Sequence, residues 1–336
     1  MSVTYRVFGS ELSPYSVKVR SWFRYKQAPH EWILRSAANM EEFKRYAKLP
    51  LIPLVVTPDG KGLQDSTPIM ETLESVFPEP ATDPADPALR FLSHLIEEYG
   101  DEWGNKPMFH YRWAFAADAE DTARRIAAQM LGPDAPAAKQ QAAATGIVER
   151  MVPRRSFVGS SDETAGEIEG SLDRQLEFLE RHLASRPYLF GGRPCFGDLG
   201  LFAELYEAST DPTPGAIMRD MAPNTLAWIG RMLDPKVEGK FEGFETLAPA
   251  LKPLLADEIG ARFLPWSQAN AEALAANQET MEVMLPKGPF RQTPQKYHAR
   301  SLAIIKGKYA EVRDNAALRQ LLDETGCLKW LEMPTP

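Results

Sequence analysis

Ser13-Pro14-Tyr15-Ser16 sets three hydroxyls where a short apolar stretch, Val3 to Phe8, gives way to a helical pattern. A strand-to-helix turn of this kind suits an anion. The first four N–H groups of a helix lack partners within it, and the helix dipole adds about half a positive charge there. A hydroxyl in that position either caps the helix or donates a hydrogen bond to a thiolate held in front of it. Ser13 followed by Pro14 also reads as an ordinary N-cap with proline at the first helical position, so both roles stay open for the tetrapeptide alone. Two further features lie downstream. Pro53 in Leu51-Ile52-Pro53-Leu54-Val55-Val56 must begin a strand or stand at a bend, because proline cannot donate to a central ladder. Asp65-Ser66 precedes a helical run from Ile69 to Phe77, which makes Ser66 the expected N-cap of a second helix start carrying a hydroxyl.

The elements that must position these residues follow from periodicity. Val3, Tyr5 and Val7 alternate with Thr4, Arg6 and Phe8 as in a mostly buried strand, and Tyr15, Val19, Trp22 and Phe23 form one apolar helical face. Glu31 to Arg35 reads as a second strand and Met40 to Ala47 as a helix capped near Asn39. Thr57-Pro58-Asp59-Gly60 is a turn signal that closes a hairpin onto Lys61 to Gln64. The resulting order, βαβ, then α, then ββα, is thioredoxin-like.

Ser13-Pro14-Tyr15-Ser16, Ile52-Pro53 and Gln64-Asp65-Ser66-Thr67-Pro68-Ile69, in that order and spacing, resemble the N-terminal domain of the cytosolic glutathione transferases. The resemblance implies that Ser13 activates the glutathione thiol and that Ile52 with Pro53, expected cis, pairs with the backbone of its cysteine. It also implies that Asp65 with Ser66 holds the γ-glutamyl end. Cysteine-dependent relatives carry a thiol where Ser13 stands, so here the sulfur is expected from the ligand. A hydroxyl donor and a helix N-terminus together favour a thiolate, which is the nucleophilic form.

Pro78 to Pro87 holds four prolines and marks the domain boundary. The expected plan is a thioredoxin-like α/β domain at 1–78, a linker at 79–87, an all-helical domain at 88–250 and a helical C-terminal extension at 251–336. Glu97, Glu98, Asp101 and Glu102 read as a solvated face. Phe109, Tyr111 and Trp113, with Tyr15, are candidates for an apolar substrate pocket between the domains, or else belong to the core. Tyr188 to Asp198 resembles the family's second-domain signature, with Cys195 in place of the capping hydroxyl and Asp198 in a structural role. In the tail, Phe263 to Met284 reads as a helix, Lys287 to Tyr297 as a proline-broken loop, and Ser301 to Leu322 as one or two closing helices. Trp266, Phe290 and Tyr297 either line the pocket or cover the core.

The bulk properties narrow the function. The chain has 336 residues with a net charge of −8, no apolar run long enough for a membrane span and no general basic field, so neither membrane nor nucleic acid is expected as a partner. Cys195 and Cys327 form no Cys-x-x-Cys pair, and the five histidines show no zinc-site spacing, so no metal is expected. The expected protein is a cytoplasmic glutathione transferase joining glutathione, as co-substrate, to a small apolar electrophile. The resemblance implies a homodimer. Two other readings remain open: a glutathione-dependent reductase or thiolytic enzyme, and a non-catalytic binding or scaffold protein on the same fold.

Overall fold

In the computed structural model, which describes residues 4–132 and 134–334, strand β1 (Tyr5–Gly9) lies inside a four-stranded sheet of order β2-β1-β3-β4. Val3 lies outside the described residues. Helix α1 (Pro14–Tyr25) crosses over to β2 (His30–Leu34), which pairs parallel to β1 with Tyr5 opposite His30. Helix α2 (Met40–Tyr46) leads to β3 (Leu54–Val56) and β4 (Gly62–Gln64), antiparallel to each other, and α3 (Ser66–Glu74) closes the unit. Side chains alternate across a strand, so β1 and β3 feed two cores. Tyr5, Val7 and Val55 face Trp22, Phe23 and Ile69, whereas Phe8, Leu54 and Val56 enclose Phe43 of α2.

The proline-rich segment is tied down on the first unit. Tyr25 donates its hydroxyl to the Ala81 carbonyl at 3.0 Å, and Lys26 Nζ donates to the Pro80 carbonyl at 2.7 Å. Helix α4 (Pro87–Tyr99), capped by Asp86, then runs through a π-helical turn, Gly100–Gly104, into α5 (Asn105–Ala114). Helices α6 (Ala116–Leu131), α7 (Ala137–Met151), α8 (Ala165–His182), α9 (Phe196–Thr210), α10 (Pro212–Met221), α11 (Pro223–Met232) and α12 (Phe244–Leu254) complete this part. α9 is its buried centre. A Cβ on Gly100 would stand 2.7 Å from the Gly200 carbonyl carbon, so glycine lets α4 and α9 approach this closely and aims the π turn at the first domain.

The extension departs from the expected all-helical tail. α12 continues through a second π-helical stretch, Leu255–Phe263, into α13 (Leu264–Ala275), which stops at Asn277, a residue with φ of +52°. A hairpin follows, β5 (Met281–Leu285) with β6 (Gly288–Gln292), where one helix and a loop were expected. Met281 and Leu285 are buried while Glu282 and Met284 face out, a period of two. Pro286-Lys287-Gly288 turns the chain, with Gly288 at φ +134°. Helices α14 (Lys296–Val312), α15 (Ala316–Glu324) and α16 (Leu328–Glu332) end the chain. α14 is held against the rest by Lys308, whose Nζ reaches Glu71 Oε1 at 2.5 Å and His94 Nδ1 at 2.9 Å.

Candidate active site

A cavity of about 600 Å³ opens between the first domain, the π turn and the start of α14. Ile52, Pro53, Asp65 and Ser66 line it together, and Tyr15 lines it too. The Ile52–Pro53 peptide is cis. Gln64, which sequence reasoning left without a role, positions this wall. Its Oε1 accepts from the N–H groups of Lys48 at 2.7 Å and Leu49 at 3.0 Å, and its Nε2 donates to the carbonyls of Leu49 and Leu51, each at 2.8 Å.

Asp65, not Ser66, occupies the N-cap position of α3, in the left-handed region at φ +80°, and its side chain makes no capping bond. Ser66 is instead the first helical residue, and it is buried. The expected hydroxyl cap is thereby replaced by a helix start whose N–H groups no side chain caps. The Asp65 carboxyl is pushed up by burial, partly offset by the Tyr297 hydroxyl, which donates to its Oδ2 at 2.6 Å. The C-terminal extension therefore reaches the groove through Tyr297 and Arg300. Lys48 and Arg300 line the groove, and neither side chain has a counter-ion among the described residues. Asp101 and Glu102 supply an acidic wall.

At the start of α1, Ser13 is the N-cap residue, with extended backbone and no capping bond from its side chain. Ser16 Oγ donates to Ser13 Oγ at 3.0 Å, which leaves the Ser13 proton free for another acceptor. Ser13 is not among the residues lining the cavity. The Tyr15 hydroxyl is committed: it donates to the Asp101 carbonyl at 3.1 Å and accepts from Asn105 Nδ2 at 2.7 Å. Burial, then the acidic groups Glu204, Glu102 and Asp101, hold the Tyr15 phenol well above its ordinary value.

The family model described as the glutathione S-transferase N-terminal domain matches residues 12–76, and that described as the C-terminal domain matches residues 141–234. The chain belongs to the glutathione S-transferase family. Solved structures to which it is similar include a glutathione S-transferase of Methylobacterium radiotolerans JCM 2831 in complex with glutathione sulfonate. That pair is 20% identical over 71% of this chain and 97% of the other, with a TM-score of 0.42. The beta-etherase LigF of Sphingobium sp. strain SYK-6 is 22% identical over 68% and 94%, with a TM-score of 0.47. A glutathione S-transferase of Methylobacillus flagellatus KT with glutathione bound is 19% identical over 68% and 94%, with a TM-score of 0.43. No curated protein matches the chain.

Against the two-domain plan of the glutathione S-transferases, several residues fall away from the groove. Tyr111 and Trp113 are buried, Phe109 packs with Trp113 against α6 and α7, and none of the three lines the cavity. On helix α5 these aromatic side chains point into cores because α6, α7 and α8 cover the faces they occupy. Trp266 and Phe290 are likewise buried, around Lys106, whereas Tyr297 lines the cavity. In the second-domain signature Asp198 is structural. Its oxygens accept from the N–H groups of Leu189 and Cys195, from Cys195 Sγ and from Trp228 Nε1, at 2.9 to 3.2 Å. Cys195 and Cys327 are buried free thiols, and burial pushes both thiols up, so neither is poised as a nucleophile. Among the described residues no helix is long and apolar enough to cross a membrane.

Proposed function

We propose that the protein is a cytoplasmic, homodimeric glutathione transferase that binds glutathione in the groove and passes its sulfur to a small apolar electrophile. The observation that carries this reading is the groove's charge layout. Glutathione has two carboxylates and one ammonium. Two cations without counter-ions, Lys48 and Arg300, line the groove together with the carboxylates of Asp65, Asp101 and Glu102, and the start of α3 beside Asp65 is left uncapped by its N-cap side chain, so the groove offers sites for both signs of charge. In the proposed complex Asp65 takes the ammonium, the N-terminus of α3 at Ser66 and the nearby cations take the carboxylates, and Ile52 before Pro53 runs along the cysteinyl backbone. The sulfur then points toward the start of α1. Ser13 is better suited than Tyr15 to donate to it, since the Tyr15 proton is already given to the Asp101 carbonyl. With Phe109, Tyr111 and Trp113 elsewhere, the electrophile is assigned to the apolar rim of Leu49, Leu51 and Leu63.

Immobilised glutathione should retain the protein and release it to free glutathione; complete failure of retention removes every reading that uses the ligand. Ser13→Ala should still be retained, with the bound thiol titrating at higher pH and turnover of an electrophile falling on the order of 10²-fold. Tyr15→Phe should change thiol ionisation little. Unchanged ionisation in Ser13→Ala would reduce Ser13 to a helix cap, and normal binding without turnover of any electrophile would favour the non-catalytic reading. Light scattering on the eluted protein tests the homodimer.

A further inference from the structure

Beside the groove, two acidic residues meet a histidine from the extension. Glu98 lies on α4, Glu102 on the π turn and His298 on the first turn of α14, and one ligand atom from each lies within 4.8 Å of the others. His298 is 1% exposed. Its ring is fixed: it packs 4.2 Å from the Trp266 ring at a tilt of 35°, and its Nε2 meets Ser267 Oγ at 2.7 Å. The other ring nitrogen, Nδ1, points into the acidic pair, 3.2 Å from Glu102 Oε2, and has no hydrogen-bond partner. A buried imidazole nitrogen that faces carboxylates at ion-pair distance without forming a hydrogen bond is one that a shared cation between the three groups would satisfy.

The surrounding charge is also unbalanced. Glu97, Glu98, Asp101 and Glu102 crowd this end of α4, and the ammonium buried among them, Lys18, is bonded to Glu97 and Asp101. Glu98 and Glu102 receive no such partner from Lys18. One imidazole nitrogen and two carboxylate oxygens form a donor set for a divalent transition ion, with a fourth position left for water or another ligand. Zinc takes N and O ligands at about 2.0–2.2 Å, so tetrahedral donors stand about 3.4 Å apart. The Glu102–His298 separation is already of that size. The Nε2 contact to Ser267 is the kind of outer partner that orients a ligating histidine.

We propose that Glu98, Glu102 and His298 form a binding site for a divalent transition-metal ion of the zinc type. The ion fastens α14 to the end of α4. Tyr297 and Arg300 flank His298 in sequence and line the groove, so the ion also sets the position of that wall. No histidine spacing announces this site, because two of the three donors are carboxylates and the third comes from the distant extension. The site stands on its own geometry, whether or not the groove takes glutathione.

The test uses the full chain, stripped with a chelator and titrated calorimetrically with Zn²⁺, with Co²⁺ absorption reporting the geometry. One equivalent should bind, Co²⁺ should give a visible band of four- or five-coordinate type, and Glu98→Gln and Glu102→Gln should each weaken Zn²⁺ at least tenfold. These amides keep the shape of the native side chains. His298→Ala should abolish the site, and where the lost ring beside Trp266 prevents folding, the two amide variants carry the result. Saturating Zn²⁺ should raise the melting temperature of the native chain and not of Glu102→Gln. Absence of Zn²⁺ binding, or binding unchanged in both amide variants, overturns the proposal. Retention on immobilised glutathione is read separately, so failure of the metal site and failure of the groove reading are distinguishable.

Discussion

Lys18 has no exposed side-chain surface, yet it carries its charge into the boundary between the two parts of the molecule. Burial alone would lower its pKa, but Asp101 and Glu97 hold it above its ordinary value, and Nζ also reaches Thr67 Oγ1 at 3.2 Å. Lys18→Met keeps the length of the side chain and removes the charge, leaving Glu97 and Asp101 buried without their cation. Breaking a buried pair in this way costs about 3–5 kcal/mol. The variant should therefore unfold at clearly lower denaturant, with the groove's acidic wall loosened and glutathione retention weakened. A midpoint equal to that of the native chain would show that the two carboxyls simply take up protons without cost. The sequence misled at this point for a physical reason. Four acids at the end of a helix look solvated when the counter-charge is on another domain, and no local pattern connects Lys18 to them.

At the scale of elements, the loop from Lys48 to Pro53 has almost no regular structure of its own and depends on the amide of Gln64. Gln64→Ala removes one acceptor for two N–H groups and one donor for two carbonyls, a loss of about 1–3 kcal/mol if the loop stays partly solvated. Glutathione binding should weaken roughly tenfold, since 1.4 kcal/mol of positioning energy is a factor of ten in affinity. Gln64→Glu should bind no better than Gln64→Ala, because it sets a carboxylate against the carbonyls of Leu49 and Leu51. Calorimetric titration with glutathione checks both, and an affinity left intact in both variants would remove Gln64 from the site. The first domain was legible because each strand and helix there carries its own period and its own turn signal, as in Thr57-Pro58-Asp59-Gly60 before β4. The hairpin β5–β6 was missed although Met281 to Leu285 alternates, since five residues after a helix are too few to outweigh the helical pattern before them. The groove was legible on the side built from Ile52, Pro53, Asp65 and Ser66. Its other wall was not, because Tyr297 and Arg300 reach it only through the folding back of α14, a contact between distant segments that leaves no local pattern.

Over the whole molecule, buried ionisable groups give stability an unusual dependence on pH. Burial pushes the carboxyls of Asp101 and Glu207 up to about 7 and that of Asp198 up to about 6, although Lys18 and Arg112 oppose this at the first two. In the unfolded chain these groups titrate near 4, so from about pH 4 to 7 the folded state holds more protons, and stability falls as pH rises through that window. Burial lowers His30, His110 and His182, which acts in the opposite direction below pH 6.5, but with smaller shifts. Lys106 adds a second limb. Its ammonium lies 3.8 Å from the Trp266 ring centre and donates to the Val158 carbonyl and Gln292 Oε1, yet burial lowers its pKa to about 7. Unfolded, it keeps its proton to about pH 10.5, so between about 7 and 10 the unfolded state holds the extra proton and stability rises with pH. The two limbs meet near neutrality. The unfolding free energy, measured by denaturant titration at several pH values, should therefore fall from about pH 5.5 to 7 and climb from about pH 7.5 to 9.5. Lys106→Met should remove most of the climb, leaving the smaller share of Lys26 and Lys306, and keep the acid limb in place. A native curve that climbs steadily from pH 5.5 would mean that the three carboxyls are ionised at little cost in the folded chain. A climb that survives in Lys106→Met would assign it to the other lysines that burial lowers, Lys26 and Lys306, and would mean that Lys106 keeps its proton in the folded state at neutral pH only if the climb is also undiminished.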